Sequence, residues 1–136
     1  MHMGAGKHIA ARRKPVDREE QDFQIAVVNL LTLALLPGTM FFHVPNGGKR
    51  NRIEAAILKA MGVKAGFPDL GILHLGRLFT MEAKRRKGGK LSKAQQDCHE
   101  ELRAAGVPVV EIRTVDDVLR ALVAWSIPTR IKGAMA

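Results

Sequence analysis

The chain has 136 residues, 46% of them hydrophobic, which is enough for one domain with a buried core. Its 22 Lys and Arg outnumber 13 Asp and Glu, and the formal charge of +9 indicates a polyanionic partner, most often nucleic acid. The composition argues against a membrane protein, because no apolar run approaches the roughly 20 residues of a span. It also argues against a stacking platform for single strands, because only 4% of the residues are aromatic.

Both ends of the chain are predicted to lie outside the domain. Residues 1–15 form a basic arm that we expect to be flexible unless a partner orders it, and they lack the apolar segment of a signal peptide. Residues 16–128 form the folded domain, and residues 129–136 are a short tail. The one cysteine, Cys98, cannot form an internal disulfide, which suits a reducing, intracellular environment.

Local signals divide the domain into eight elements. Asp17 is the expected cap of the first helix, which stops at Pro37-Gly38. Ser92 and Gln95 have capping-box spacing, and Thr114 is the expected cap of the last helix. The predicted helices cover residues 16–36, 51–61, 91–105 and 114–125, and the predicted strands cover residues 41–44, 69–75, 78–84 and 107–113. The order α-β-α-β-β-α-β-α predicts an α/β fold in which helices flank one mixed sheet.

The two strands around residue 76 are predicted to form a hairpin that carries three charged side chains. With Gly76-Arg77 at the centre of a type II′ turn, Gly71 faces Glu82, and Asp69 faces Lys84. Paired residues share a face, so the three charges lie together beside open space at Gly71. Alternate residues of the second strand point toward the core (Phe79, Met81 and Ala83) or away from it (Thr80, Glu82 and Lys84).

Asp69, Glu82 and Lys84 together suit phosphodiester chemistry. Two carboxylates roughly 5–8 Å apart are able to clasp a hard cation such as Mg²⁺, with the Ala83 carbonyl as an additional ligand. The cation would lower the pKa of a bound water, and Lys84 would position that water or neutralise the phosphate. The competing interpretation is a solvated ion pair on an edge strand, which contributes little to stability.

A set of short motifs spans the chain from Glu20 to about Leu122. They are Glu20-x-x-x-Gln24, His43-x-Pro-Asn46, Gly66-Phe-Pro-Asp69, Glu82-Ala-Lys84, Leu91-Ser-x-x-Gln95 and Gly106-x-x-Val109. In this order they resemble the VRR-NUC family, a branch of the PD-(D/E)xK nuclease superfamily. The chain departs from the family pattern at Phe67 and Thr80, neither of which is a liganding position.

This resemblance implies a restriction-endonuclease-like fold and a DNA endonuclease that depends on Mg²⁺ or Mn²⁺. Asp69 and Glu82 would be the metal ligands and Lys84 the catalytic cation, with Glu20 and Gln95 completing the catalytic set. Some family members are dimers that cut four-way junctions. We therefore expect a homodimer that acts on branched DNA such as a Holliday junction, in the cytoplasm of a bacterial or phage-infected cell.

Two members of this catalytic set have competing interpretations. Glu20 lies in line with the apolar stripe of the first helix, which favours a further metal ligand acting through water, but a first-turn acid also complements the helix dipole. Glu19 would serve that second role equally well. Gln95 either only closes the capping box with Ser92 or also contacts Lys84 or the attacking water.

Cations outside this set are predicted to contact DNA phosphates, and the histidines are interpreted as incidental, with His43 alone worth attention. Because no pattern indicates the recognition of bases, selectivity for DNA shape is expected. The predicted nucleic-acid contacts are Asn46, Lys49, Arg50, Arg52, Arg85, Arg86, Lys87 and Lys90. A binding module of the same fold without metal, and a scaffold subunit that uses its first and last helices as interfaces, are the alternative functions.

Overall fold

The computed structural model of the protein describes residues 15–45 and 51–131. Helices and strands follow one another in the predicted order. They are α1 (Pro15–Ala34), β1 (Thr39–His43), α2 (Arg52–Ala60), β2 (Leu70–His74), β3 (Arg77–Ala83), α3 (Lys93–Ala104), β4 (Val109–Ile112) and α4 (Val115–Ala124). Among the described residues, no helix combines the length and the hydropathy needed to cross a lipid bilayer.

The four strands form one mixed sheet in the order β1-β2-β3-β4. Strand β2 runs antiparallel to both β1 and β3, and β4 runs parallel to β3. This arrangement confirms the predicted α/β fold with helices around a central mixed sheet, and it is consistent with a restriction-endonuclease-like architecture.

Strand β3 is buried on both faces. Its alternate residues Phe79, Met81 and Ala83 join the hydrophobic core with residues of α1 and α4, as predicted. The opposite side chains, Thr80, Glu82 and Lys84, were also expected to share a face, and they too are buried. The fold therefore places two ionisable side chains, Glu82 and Lys84, in its interior at the end of a central strand.

The helix termini follow the predicted signals with one exception. Ser92 and Thr114 cap α3 and α4, and each is part of a capping box. The predicted cap Asp17 is wrong, because α1 begins at Pro15 and therefore includes Asp17 in its first turn. Proline favours this first position, since its fixed φ suits a helix and its missing N–H is not needed there.

The predicted hairpin register is wrong by two residues. Leu75 and Gly76, with φ of 49° and 78°, form the centre of the turn, so Gly71 pairs with Thr80 instead of Glu82. Two consecutive positive φ angles are typical of a type I′ turn, whose twist matches that of the strands. A shift of two residues preserves the faces, and continuing the ladder by one pair places Asp69 opposite Glu82 instead of Lys84.

The open space expected beside Gly71 is absent. The ring of Phe42, on the neighbouring strand β1, covers Gly71, and a Cβ added to this glycine would lie 2.3 Å from the ring. Glycine is therefore required at this position for the packing of the sheet, and the predicted gap next to the carboxylates is a wrong prediction.

Candidate active site

The site lies where β2 begins and β3 ends. Asp69 immediately precedes β2, after the buried Pro68, and its Oδ2 accepts a hydrogen bond from the backbone N–H of Ala83 at 2.8 Å. The carbonyl of a strand residue lies on the same edge as its N–H. The Ala83 carbonyl therefore lies on the edge of β3 that faces Asp69, where the sequence predicted a metal ligand.

The Glu82 carboxyl group is 1% exposed and is held by two side chains of α3. His99 Nε2 lies 3.0 Å from Oε1, and Gln95 Nε2 donates a hydrogen bond to Oε2 at 3.2 Å. Gln95 and His99 are four residues apart, so they lie on the same side of the helix. One helical turn thus fixes the direction of this carboxyl group.

Lys84 is 8% exposed, and its ammonium is linked to Glu82 through Gln95. Lys84 Nζ donates to Gln95 Oε1 at 3.2 Å, and the same oxygen accepts from the backbone N–H of Ser92 at 2.9 Å. Gln95 therefore closes the capping box and also contacts Lys84 and Glu82. The two interpretations of Gln95, as a member of the capping box and as a contact of Lys84, are therefore compatible with each other.

Burial, as the largest cause, and the adjacent Asp69 carboxyl group, through a hydrogen bond and its charge, together raise the pKa of Glu82 to about 9. Lys84 opposes this shift, but without cancelling the cost of burial. At neutral pH and without a cation, Glu82 therefore keeps a proton beside Asp69. Burial and the nearby Arg103 lower the pKa of His99, so its imidazole is neutral at pH 7 and Nε2–H is able to donate to Glu82.

The donor set fits a hard divalent cation. Two adjacent carboxyl groups repel each other when both are ionised, and a cation between them would replace the proton that the pair otherwise retains. Among the described residues, no three His, Cys, Asp or Glu side chains form a metal cluster. Mg²⁺ does not need one, because it usually binds one or two carboxylates and keeps several waters.

Glu20 and Gln24, one helical turn apart on α1, approach the site from a different element. Glu20 is half-buried, and its charge contributes to the raised pKa of Glu82. Gln24 Nε2 lies 2.9 Å from His43 Nδ1, which is 2.8 Å from the Asp69 carbonyl oxygen. This ring nitrogen serves one of these contacts at a time, because it either donates to the carbonyl or accepts from the amide. The structure thus brings the first motif of the sequence to the site.

His99 is a residue of the site that the sequence analysis missed. It is buried and contacts Glu82, whereas the sequence suggested that the histidines are incidental. Its position four residues after Gln95 was a signal, since both residues lie on one helical face. The spacing alone does not identify Glu82 as the partner of this face, because that contact depends on how α3 packs on β3.

The predicted DNA-contacting residues occupy two places. Arg52 begins α2, where its side chain is exposed. A second group follows Lys84 directly, in the segment of residues 85–90 that we call the basic loop. Its cationic residues are Arg85, Arg86, Lys87 and Lys90. The predicted contacts Asn46, Lys49 and Arg50 lie outside the described residues.

Comparisons with known proteins support one family. No protein-family model matches the sequence, and no curated protein matches it significantly. A solved structure described as a VRR_NUC domain protein is similar, with a TM-score of 0.63 and 26% sequence identity. The match covers 81% of this chain and 90% of that chain. This neighbour confirms the resemblance and the fold class that the motifs indicate.

Proposed function

We propose that this chain, whose fold, motif order and structural neighbour support membership in the VRR-NUC family of nuclease domains, is a divalent-metal-dependent DNA endonuclease. The observation that carries the proposal is the contact of the buried Glu82 carboxyl group with the partly buried Asp69 carboxyl group, with the buried Lys84 ammonium held beside them through Gln95. Burying two ionisable groups next to a third is costly for a protein, and active sites are where such arrangements are concentrated.

Asp69, Glu82 and the Ala83 carbonyl would hold the Mg²⁺ or Mn²⁺ ion, with Glu20 as a further ligand through water. When bound, the ion supplies a water of lowered pKa and a positive charge that offsets the charge developing on the phosphate. Because the pKa of Glu82 is raised, the metal-free site would retain a proton, and binding of the ion would displace it.

The protein side chains would orient the reacting groups. An ammonium carries three N–H donors, and Gln95 accepts from one donor of Lys84, which leaves others for the attacking water or a phosphate oxygen. His99 and Gln95 donate to the two oxygens of Glu82 and so prevent this ligand from rotating. Each of these contacts lowers the cost of organising the site when DNA binds.

The DNA would be held through its phosphates by Arg52 and the cations of the basic loop. The formal charge of +9 supports such binding, and contacts to phosphates do not depend on the DNA sequence. We further propose that the protein is a homodimer that prefers four-way junctions or other branched DNA. Symmetry supports this proposal, because two equivalent active sites match the two equivalent strands of a junction.

The test is a cleavage assay with labelled duplex, single-stranded, flap and four-way-junction DNA, in chelator, Mg²⁺ or Mn²⁺. Asp69→Asn is compared with Asp97→Asn, a matched control on the exposed side of α3 that pairs with Lys93. We expect cleavage that needs metal, persists in Asp97→Asn and is lost in Asp69→Asn. Tight DNA binding without cleavage in either metal would refute the nuclease and favour the binding module. A molecular mass that stays monomeric on the junction would refute the homodimer alone.

A further inference from the structure

Arg113 follows β4 and makes four hydrogen bonds with its guanidinium group. Nη1 donates to the carbonyl oxygens of Arg85 at 2.8 Å and Gly88 at 2.5 Å. Nη2 donates to the carbonyl oxygen of Gly89 at 3.0 Å and to Glu111 Oε1 at 2.9 Å. One planar group thus gathers three carbonyls of the basic loop, which a compact ammonium is not able to do.

The basic loop depends on this side chain for its shape. Gly88 and Gly89 have φ angles of 73° and 66°, so the chain turns twice in the left-handed region. Within the described residues, no backbone group of residues 85–90 bonds to another backbone group. The Arg113 contacts therefore replace the backbone ladder that orders the strands.

The loop lies directly against the proposed catalytic groups. A Cβ added to Gly89 would be 3.6 Å from Cδ of Lys84, so the loop packs on the stem of this lysine. The backbone N–H of Arg86 donates to Glu19 Oε2 at 3.4 Å, next to Glu20 on α1. With three carbonyls turned toward Arg113, the side chains of Arg86 and Lys87 remain exposed.

We propose that Arg113 is a positioning residue for substrate binding. It holds the basic loop in the shape that brings Arg86, Lys87 and Lys90 to the phosphates next to the bond that is cut. This inference rests on the proposed function, because it requires DNA at the site. The charge of Arg113 itself is engaged by Glu111 and the three carbonyls, so its effect on DNA passes through the loop.

The test uses substitutions that keep the charge. Arg113→Lys retains a cation but loses the fork that spans the loop, and Arg120→Lys is the matched control on α4, where the Arg120 guanidinium donates to Asp117. DNA affinity is measured in chelator over a range of salt concentrations. Because each phosphate contact contributes about −0.9 to the slope of log K against log salt, releasing the loop makes that slope less negative by about one to three. We expect binding at least about tenfold weaker for Arg113→Lys, with Arg120→Lys unchanged.

Two further measurements separate positioning from a general loss of folding. Partial unfolding lowers the active fraction without changing the salt slope. Lys87→Gln is also measured in both backgrounds, and we expect its cost to shrink in Arg113→Lys, since a released loop no longer presents Lys87. Hydrogen exchange of the loop amides in the free protein should accelerate in Arg113→Lys only.

The outcomes distinguish this inference from the proposed function. If the wild-type chain does not bind DNA, both are overturned. If the wild type binds and Arg113→Lys retains its affinity and salt slope, the positioning role alone is overturned. Additive effects of Lys87→Gln and Arg113→Lys would also overturn it, because independent cations contribute separately.

Discussion

Replacing Glu82 with glutamine should make the metal-free protein more stable at high pH than the wild type. Burial and Asp69 raise the pKa of Glu82 from 4.5 to about 9, so folding at neutral pH requires this side chain to take up a proton. A raised folded-state pKa contributes stability that is complete below about pH 4.5 and is lost as pH rises to about 9. Glutamine is neutral at every pH, so the variant does not lose this stability as pH rises.

The magnitude follows from the pKa difference. Each unit corresponds to about 1.4 kcal/mol, so at pH 7 the wild type has lost about 3 kcal/mol, and the loss levels off above pH 9. The variant also loses about 1 kcal/mol of stability at every pH. His99 and Gln95 each donate to one oxygen of Glu82, and the amide nitrogen that replaces one of these oxygens in glutamine is not able to accept a hydrogen bond. Glu82→Gln should therefore be slightly destabilising near pH 5 and stabilising by about 2 kcal/mol at pH 7.

The assay is urea unfolding in chelator at each pH unit from 5 to 9. The quantity to compare is the difference in unfolding free energy between variant and wild type, because other titrating groups affect both alike. Glu100→Gln, which removes the same charge at an exposed position on α3, is the matched control. Saturating Mg²⁺ should abolish the trend in the wild type, because the ion stabilises the ionised carboxylate.

A constant difference between Glu82→Gln and wild type from pH 5 to pH 9 would refute the reasoning. It would mean that Glu82 titrates near its ordinary pKa, and that the carboxyl groups separate or admit water in solution. If the wild type instead loses stability relative to the variant only as pH falls below about 4.5, the ionised form is the one stabilised by the fold, with Lys84 outweighing burial.

Three further tests have expected outcomes. His99→Ala should weaken Mn²⁺ binding about 10- to 100-fold in a calorimetric titration, whereas His74→Ala, at the far end of the hairpin, should leave it unchanged; equal effects would contradict the role of His99. Ser92→Ala and Gln95→Ala should each cost about 1 kcal/mol of unfolding free energy through the helix cap, but only Gln95→Ala should also reduce cleavage, so parallel losses would contradict its contact with the site. Gly71→Ala should destabilise the protein by about 1–3 kcal/mol in urea unfolding, because the added carbon overlaps the aromatic ring above it; an unchanged midpoint would contradict that packing.

Features of the fold that depend on residues close together in the chain could be predicted from the sequence. The capping box of α3 and the Thr114 cap of α4 were predicted from residues close together in the chain, and the structure confirms both. Alternation along β3 correctly separated Phe79 and Met81 from Glu82, because the pleat assigns faces whatever the partner strand. The hairpin register was predicted wrongly, because the turn uses Leu75 at positive φ, a conformation that the residue type leucine does not indicate.

The order of the elements, the cationic character of the chain and the motifs that resemble VRR-NUC nucleases follow from the amino-acid sequence alone. Which side chains surround the carboxyl groups depends on the packing of the folded chain. His99 and Gln95 reach Glu82 across 17 and 13 residues, and Arg113 reaches Gly89 across 24, because α3 and β4 pack beside β3. Such contacts depend on how helices and strands pack, and a hydrogen-bonding partner that distant in the chain leaves no periodic pattern in the sequence.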